Sequence, residues 1–388
     1  MQSSIRHLRM FQTLAETHSI TRTAELCNVS QPAVTQAMTK LERDAGIALL
    51  QRTPQGIFLT EAGEVMALRA TRALAYLDAA MADMSRAIRL QATRPQLAAL
   101  IAVTEVENFT IAARQLGLAQ PTVHRSTSLL EQSAGIPLFE RTAHRLVATR
   151  AARQLAQAAR LAFTEMAQAE AELAQMAGRD SGRLVIGALP MSQGVLLPMA
   201  IRRFRATRPG LAVEVIDGRY SDLSTGLSRG EIDMIFGLQE TRTQNGDFQY
   251  QNLFDSKVVI VARKDHPLHG TDTVTPEQMS GYPWVIPPVG APVRKSLEDI
   301  LPENILQRAI VTSSETLMRA LLRSSDYLAA IPQQQFASAT GCEDLSVLPT
   351  TVTPAPLSVG LCTRTGWKPT PAQQEFMDLL HQLSAELG

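Results

Sequence analysis

The chain has 388 residues, of which 45% are hydrophobic, with 37 basic and 37 acidic side chains. A chain of this length usually divides into two or more domains, and its hydrophobic fraction is ordinary for a globular protein. No apolar run approaches the roughly 20 residues that span a bilayer, and residues 1–10 lack a signal-peptide core. We therefore expect a cytoplasmic protein without a membrane partner.

The charge balance gives only weak support for a nucleic-acid partner. Residues 1–178 carry 18 Lys and Arg against 15 Asp and Glu, a net charge of +3. Residues 179–388 carry 19 against 22, a net charge of −3. This asymmetry has the sign expected of an N-terminal DNA-binding region, but it is small. Function therefore has to be inferred from motifs.

One stretch near the N-terminus occurs twice. SITRTAELCNVSQPAVTQAMTKLERDAGIALLQRT at 19–53 is matched, 89 residues later, by NFTIAARQLGLAQPTVHRSTSLLEQSAGIPLFERT at 108–142. Identical dipeptides stay in register, among them Gln31-Pro32 with Gln120-Pro121 and Leu41-Glu42 with Leu130-Glu131. The sequence therefore contains an internal duplication.

Each copy has the pattern of a helix-turn-helix. In copy one, Ile20 to Cys27 is a short helix and residues 28–30 form the turn. Ser30 is the N-cap of a second helix, and Pro32 lies in its first turn, where a missing N–H is harmless. The apolar positions of the second helix recur at i, i+4 and i+7 and give it one buried face. These positions are Val34, Met38 and Leu41.

The opposite face of that helix is the candidate DNA-reading surface. Hydroxyls and amides suit base edges in a major groove, whereas a lysine suits phosphate. The candidate DNA contacts on this face are Gln31, Thr35, Gln36 and Lys40 in copy one, and Gln120, His124 and Arg125 in copy two. A solvated helix face without a DNA partner is the alternative interpretation.

A small hairpin follows each helix-turn-helix. Residues 51–60 are predicted to form two strands with residues 54–56 at the tip, which is the wing of a winged helix. Arg52, and Arg141 in copy two, would then face phosphate. Copy two also has Ala119 where copy one has the capping Ser30, a loss of about 1 kcal/mol.

Each copy continues into a long helix with a coiled-coil seam. The first is predicted to run from Glu61 to about Leu90, and the second occupies the matching positions 89 residues later. The two seams are Met66, Ala70, Ala73, Leu77, Ala80, Met84 and Ala87, and Leu155, Ala159, Ala162, Met166, Ala169, Leu173 and Met176. They could pair within one chain or between chains, and pairing between chains is the favoured alternative.

From Gly182 onward, strands alternate with helices, which predicts parallel sheets with right-handed crossovers. Two small α/β lobes, with chain crossings near 263–267 and 348–354, explain the pattern better than one large sheet. Ligands of such folds bind beyond the carboxyl ends of strands. The candidate effector-binding residues in those loops are Met191, Ser192, Gln193, Gln239, Pro288, Thr312 and Ser313. Simple helix capping explains the serines equally well.

The sequence offers no catalytic site. There is no Ser/His/Asp order with supporting turns, no Gly-rich phosphate loop and no metal-ligand spacing among the seven histidines and three cysteines. We therefore expect no enzyme activity, no cofactor and no metal.

Taken together, these residues resemble the LysR-type transcriptional regulators of bacteria. The resemblance lies in residues 24–42, 46–53 and 59–63, and in the C-terminal segments GRLVIGALP, GEIDMIFG and KDHPL. The implied fold is multidomain α and α/β: two winged helix-turn-helix modules with long coiled-coil linker helices, then a two-lobed domain of periplasmic-binding-protein type. The implied domains are residues 1–63 and 64–92 for the first module and its linker helix, 96–150 and 151–178 for the second, and 182–388.

The resemblance implies a regulator that binds double-stranded DNA and responds to a small-molecule effector in the interlobe cleft. The DNA contacts it implies are Ser30, Gln31, Pro32, Thr35, Gln36 and Arg52, with Pro121 as the equivalent of Pro32 in copy two. Such proteins form dimers or tetramers, and RNA polymerase is a candidate further partner. The segment WVIPPVG at 284–290 is similar to members that sense sugars or aromatic-catabolism intermediates. The duplication departs from the family pattern, and Ala119 puts DNA binding by copy two in doubt. The rival hypothesis is a metabolite-sensing decoy or assembly protein whose winged helices do not read DNA.

Overall fold

The computed structural model describes residues 4–142, 145–179, 181–189, 194, 196–239, 246–338, 344–351 and 354–387. The chain divides into two compact units, Met1–Gly182 and Arg183–Gly388. The described helices of neither unit are long and apolar enough to cross a membrane.

In the first unit, the order of three helices, a hairpin and a long helix occurs twice. The elements of the first occurrence are α1 Ile5–Thr17, α2 Ile20–Leu26, α3 Gln31–Ala45, β1 Leu50–Thr53, β2 Gly56–Leu59 and α4 Glu61–Ala80. A short helix, α5 Arg86–Gln91, follows. Those of the second occurrence are α6 Arg94–Val106, α7 Phe109–Leu116, α8 Gln120–Ala134, β3 Phe139–Arg141, β4 Leu146–Ala148 and α9 Arg150–Met176.

The ends of α3 and α8 follow from their sequences. The Ser30 hydroxyl accepts a hydrogen bond from the Ala33 N–H at 3.4 Å, whereas Ala119 provides no side-chain cap to α8. Both helices end at a glycine with positive φ, 71° at Gly46 and 72° at Gly135. Glycine adopts this left-handed conformation without a steric penalty.

The prediction of one continuous helix from Glu61 to Leu90 is wrong. α4 ends at Ala80, and the chain turns before α5 begins at Arg86. The Ser85 N–H donates to the carbonyl of Ala134 at 2.9 Å, and the Ser85 hydroxyl caps α5. Met81 and Ile88, on either side of the turn, are both buried. The hydrogen bond from Ser85 to Ala134 and the packing of α5 against α8 thus override the local helical pattern. The second long helix, α9, is continuous, as predicted.

The two long helices pack against each other within the chain. Arg69 and Arg72 of α4 contact Glu172 and Glu165 of α9, respectively, so the two helices run antiparallel. One hydrophobic core includes side chains of both copies, among them Leu41, Met66, Leu74, Leu97, Leu130 and Leu155. The seams therefore pair within the polypeptide, whereas pairing between chains was the favoured prediction.

The second unit contains two five-stranded sheets. Its strands are β5 Arg183–Ala188, β6 Ala212–Asp217, β7 Met234–Leu238, β8 Phe248–Ser256, β9 Val258–Arg263, β10 Trp284–Ile286, β11 Ile310–Val311, β12 Leu328–Pro332, β13 Leu345–Val347 and β14 Leu357–Arg364. Its helices are α10 Leu196–Thr207, α11 Tyr220–Arg229, α12 Pro276–Met279, α13 Pro292–Glu298, α14 Glu303–Arg308, α15 Glu315–Ser324, α16 Gln333–Ser338 and α17 Pro371–Leu387.

The strand orders are β6-β5-β7-β14-β8 in one sheet and β11-β10-β12-β9-β13 in the other. In each sheet three neighbouring strands are parallel, and the remaining strands are antiparallel to their neighbours. This arrangement confirms the prediction of two α/β lobes.

The first crossing between lobes lies at Lys257 rather than at 263–267. β8 belongs to the first sheet and the next strand, β9, belongs to the second. The nine-residue strand β8 was not predicted because its sequence, FQYQNLFDS, is polar and half exposed along its length. It is an edge strand with one neighbour, β14, so burial does not impose an apolar pattern. The return crossing between β13 and β14 matches the predicted position.

Candidate nucleic-acid interface and effector site

The exposed face of α3 carries polar side chains at its N-terminal end. Ser30, Gln31, Pro32 and Gln36 are exposed, and Thr35 and Lys40 are half-buried. Val34, Met38 and Leu41 are buried on the opposite side, as predicted. The hydrophobic side fixes the rotation of the helix, so the amides and hydroxyls are held toward solvent. This arrangement can present hydrogen-bond donors and acceptors to base edges.

The corresponding face of α8 is built differently. Gln120, Pro121 and Arg125 are exposed, and His124 is half-buried. The His124 ring packs against Phe109 of α7, with ring centroids 5.1 Å apart. Leu129 occupies the position of Lys40 and is 43% exposed. α8 therefore offers a guanidinium where α3 offers an amide, and an apolar side chain where α3 offers an ammonium group.

A glutamate of each recognition helix holds the start of the hairpin. Glu42 Oε1 accepts hydrogen bonds from the backbone N–H groups of Leu49 and Leu50, at 3.0 and 3.1 Å. Glu131 accepts in the same way from Leu138 and Phe139, at 2.8 and 3.1 Å. These contacts fix the hairpin relative to the recognition helix.

The hairpins themselves are antiparallel, and that of copy one runs from Leu50 paired with Leu59 to Thr53 paired with Gly56. The Ile57 N–H donates to the carbonyl of His18 at 3.1 Å, and the His18 ring stacks on Phe58. Arg52 is exposed on β1, where it can approach a phosphate. Arg141 lies on β3, and its side chain is outside the described part of the structure.

The predicted effector residues fall into three groups. Pro288 and Thr312 follow β10 and β11, which are parallel neighbours paired at Ile286 and Val311, so their loops share one edge of the second sheet. Gln239 follows β7 of the first sheet and donates its backbone N–H to the Ser358 carbonyl at 2.8 Å. Met191, Ser192 and Gln193 lie outside the described residues.

The N-terminus of α15 is already occupied by the chain itself. The Ser314 hydroxyl accepts from the Leu317 N–H at 3.2 Å, and the Thr312 hydroxyl accepts from the Ser314 N–H at 3.0 Å. Glu315 places a carboxylate in the first turn. Capping therefore explains Ser314, and the Glu315 carboxylate accepts a hydrogen bond from Arg319 Nε at 2.8 Å. Ser313 remains exposed and without a capping role.

Two family models match the chain. The model described as "Bacterial regulatory helix-turn-helix protein, lysR family" matches residues 5–64 and again 95–174. The model described as "LysR substrate binding domain" matches residues 177–385. The chain belongs to the LysR family. The prediction of a LysR-type transcription regulator is thus confirmed, together with the fold class of an N-terminal helix-turn-helix region followed by a two-lobed α/β domain.

Several LysR regulators are similar to the chain over most of its length. The HTH-type transcriptional regulator GalR of Pseudomonas putida is 31% identical over 391 aligned positions, which cover 99% of this chain and 98% of GalR. The HTH-type transcriptional regulator GbpR of Rhizobium radiobacter is 30% identical over 243 residues, covering 60% of this chain and 79% of GbpR.

Among solved structures, CbnR, a LysR family transcriptional regulator, matches with a TM-score of 0.51 at 19% identity, covering 75% of this chain and 99% of CbnR. Full-length CbnR complexed with its target DNA matches with a TM-score of 0.50 at 19% identity, covering 74% of this chain and 99% of CbnR. The likeness concerns the fold. The quarter of this LysR chain left uncovered has about the size of one copy of the repeat.

Two features of this LysR chain were not found from the sequence. One is the tethering role of Glu42 and Glu131, which the identical Leu-Glu pairs in both copies could have signalled. The other is a buried ionic cluster between α4 and α9. Arg69 contacts Glu165, Gln168 and Glu172, and is itself only 2% exposed. The sequence signal for this cluster was Arg69 itself, which lies among alanines on α4 at the position where the second copy has Ala158.

Proposed function

We propose that this LysR regulator reads duplex DNA through the exposed N-terminal faces of α3 and α8, with the hairpins contacting the flanking phosphates. The observation that carries the proposal is the polar, exposed face of α3, held outward by the buried Val34, Met38 and Leu41. The tether from Glu42 keeps the hairpin beside that face. A helix of this kind fits a major groove, and Arg52 fits the adjacent backbone.

Fluorescence anisotropy with duplexes from the region upstream of the gene, and with scrambled duplexes, tests DNA reading. We expect Gln31→Ala and Thr35→Ala to weaken binding to the specific duplex more than to the scrambled one. Arg52→Ala should weaken both about equally, because a phosphate contact carries no sequence information. Affinity should fall steeply between about 50 mM and about 200 mM salt, because phosphate contacts release bound counterions.

Equal losses for both duplexes in the Gln31→Ala and Thr35→Ala variants would rule out base reading by α3. Salt-independent, unselective binding would instead support the rival hypothesis, in which the winged helices serve assembly alone.

For the second unit, we propose a neutral, hydroxyl-bearing effector such as a sugar, bound between the two sheets. All the side chains proposed to bind it are uncharged: Met191, Ser192, Gln193, Gln239, Pro288, Thr312 and Ser313. The serine, threonine and glutamine side chains among them hydrogen-bond to hydroxyl groups, and no member of the set neutralises a carboxylate.

Thermal unfolding with matched ligands tests this effector class. Trp284 and Trp367 are the two tryptophans of the chain, so tryptophan fluorescence follows the second unit alone. A ligand that binds only the native unit raises its melting temperature. We expect neutral sugars to do so and the matching uronic acids, which add a carboxylate, to have a smaller effect. A larger shift with the uronic acids would overturn the assignment.

We also propose the domain division given by the sequence, with boundaries at 1–63, 64–92, 96–150, 151–178 and 182–388. The starts of α4 at Glu61 and α9 at Arg150 support two of these boundaries to within three residues. A cytoplasmic location and assembly into a homo-oligomer complete the proposal.

A further inference from the structure

Equivalent positions of the two copies meet at the interface between α4 and α9. Ala73 and Leu77 line one small cavity together with Ala162 and Met166, which follow them by 89 residues. Leu74 and its equivalent, Phe163, line the same cavity. Because the helices are antiparallel, this arrangement places a local twofold axis near Leu74 and Phe163. The first unit is therefore a dimer-like pair of winged helices made from one polypeptide.

The ionic cluster breaks that symmetry. Arg69 Nη1 donates to Glu165 at 2.9 Å and to Gln168 at 2.8 Å, and Arg69 Nε donates to Glu172 at 2.9 Å. Arg72 donates to Glu165 at 2.8 Å. The symmetry-related positions at the other end of the interface carry side chains that cannot form an equivalent cluster. The residues there are Ala158 for Arg69, Tyr76 for Glu165, Ala79 for Gln168 and Asp83 for Glu172.

This asymmetry selects which helices can pair. Two α9 helices, paired in the same antiparallel register, would bury Glu165 and Glu172 opposite Ala158 without a cation. Two α4 helices would bury Arg69 opposite Tyr76 and Ala79, and Asp83, the acidic residue at the position of Glu172, lies beyond the end of α4 at Ala80. A buried charge that loses its partner is strongly destabilising. The cluster therefore favours pairing of α4 with α9, which the loop between the copies permits within one chain.

The two reading faces that this pairing presents are chemically unlike. Gln36 is replaced by Arg125, and Thr35 by His124. A glutamine amide matches the N6 and N7 groups of adenine, whereas an arginine guanidinium matches O6 and N7 of guanine. Gln36 and Arg125 are both exposed at equivalent places on their helices. Each face should thus favour a different base at the same position of its half-site.

We propose that one chain reads two unlike half-sites, with α3 on a half-site that has adenine at the position read by Gln36 and α8 on one that has guanine at the position read by Arg125. The inference rests on the proposed DNA reading and adds to it the composition and symmetry of the operator. The cluster around Arg69 sets the pairing that brings both faces into one polypeptide.

Selection from a random duplex library by the full-length chain, followed by sequencing, tests the proposal whatever the sequence of the natural operator. We expect a non-palindromic pair of half-sites. Gln36→Arg should convert the adenine of one half-site to guanine and leave the other half-site unchanged. Arg125→Gln should convert the guanine of the other half-site to adenine. Both side chains are exposed, so neither change should disturb folding.

Arg86→Ala is the matched control, because Arg86 is exposed on α5, beside the C-terminal end of α8, and away from both reading faces. The selected sequence should not change in this variant. Titration at DNA concentrations well above the dissociation constant, with footprinting of the same complex, should show two protected half-sites per bound chain.

Three results would overturn the inference. A palindromic selected sequence, or one protected half-site per bound chain, would overturn it alone and leave DNA reading intact. A selected sequence unchanged by Arg125→Gln would show that Arg125 does not read a base, which overturns the assignment of guanine to α8 and leaves DNA reading by α3 intact. Failure to enrich any sequence would overturn both this inference and the proposed function.

Discussion

The guanidinium of Arg69 on α4 donates a 2.9 Å hydrogen bond to the carboxylate of Glu165 on α9, and the two residues are 2% and 3% exposed. Removing two charges from water is unfavourable, and their attraction only partly offsets that penalty. The opposition is visible at the neighbouring Glu172, where burial raises the pKa and Arg69 acts to lower it. The cluster therefore contributes more to the choice of helix partner than to net stability.

Replacing Arg69 alone should destabilise the first unit severely. Arg69→Met keeps most of the packing but leaves the partly buried Glu172 without its cation and the buried Glu165 with Arg72 alone, which should lower the free energy of unfolding by about 3 kcal/mol. Urea denaturation followed by far-UV circular dichroism measures this change. Tryptophan fluorescence should stay unchanged, since Trp284 and Trp367 belong to the second unit.

Arg22→Ala is the control for the loss of an arginine. Arg22 and Glu25 form an exposed ion pair, with side chains 63% and 59% exposed, so its loss should change the free energy by about 1 kcal/mol at most. If Arg69→Met had no larger effect than Arg22→Ala, the buried cluster would not hold the two helices together.

The Arg69→Met variant should have a lower free energy of unfolding than the unmodified chain, and this stability deficit should depend on pH in a defined direction. Without Arg69, the pKa of Glu172, already raised by burial, should rise further. A carboxyl whose folded pKa exceeds its unfolded value destabilises the protein when it is ionised. The deficit relative to the unmodified chain should therefore shrink as the pH falls from about 7 toward about 5, where the carboxyl begins to bind a proton. Stability curves at several pH values check this, and a deficit that widens on acidification would contradict it.

Loss of the hydrogen bonds from Glu42 to the hairpin should weaken DNA binding without unfolding the first unit. Glu42→Ala removes the acceptor of the Leu49 and Leu50 N–H groups, so the hairpin should move and the affinity for specific DNA should fall by about tenfold or more, the equivalent of one hydrogen bond to a charged group. Glu42→Gln keeps a carbonyl acceptor and should recover most of the affinity. Anisotropy titrations measure both variants. Equal affinities for the two would show that the acceptor is not needed.

The unequal caps of the recognition helices allow a reciprocal test. Ser30→Ala should destabilise the first unit by about 1 kcal/mol, because the Ala33 N–H loses its side-chain acceptor. Ala119→Ser supplies the missing acceptor to α8 and should stabilise it by a similar amount. Thermal unfolding by circular dichroism measures both, and two changes of the same sign would contradict the role of the cap.

His266 should make the stability of the second unit sensitive to acid. Burial lowers the pKa of this imidazole from its usual value of 6.5, and Nδ1 accepts a hydrogen bond from the Leu268 N–H at 3.1 Å. The folded state thus favours the neutral ring, and the stability it confers is complete above pH 6.5 and decreases as the pH falls below that value.

His266→Asn keeps a side-chain acceptor for the Leu268 N–H but does not titrate. Tryptophan fluorescence melts between about pH 7 and about pH 5, the range in which imidazole titrates, should show a shallower pH dependence in this variant than in the unmodified chain. Identical slopes would show that another group controls the response to acid.

Local signals predicted the recognition helices well. Ser30, Pro32 and Gly46 mark the ends of α3. The spacing of Val34, Met38 and Leu41 fixes its buried face. All of these signals lie within the helix or directly beside it in the sequence, so local patterns are enough to predict it. The end of α4 at Ala80 could not be predicted in this way. It depends on the packing of α5 against α8 of the other copy and on the hydrogen bond from the Ser85 N–H to the carbonyl of Ala134.

The sequence did not predict that α4 pairs with α9 of the same chain, for a related reason. Two heptad seams of the same register are compatible with pairing inside a chain or between chains. Only the position of Arg69 opposite Glu165 and Glu172 distinguishes the two, and that contact joins residues about one hundred positions apart. The strand β8 was missed because the alternation of apolar and polar residues in 248–251 breaks at Asn252, where the pairing with β14 shifts register between Val359 and Gly360.

The pairing of α4 with α9 also changes how assembly responds to dilution. Helices tethered in one polypeptide meet at a fixed effective concentration, whatever the amount of protein in the cell. Two winged helices thus stay together even in a cell that holds few copies of the regulator. A complex with four winged helices then needs the encounter of two molecules instead of four, so its abundance rises with the square of the protein concentration rather than with the fourth power.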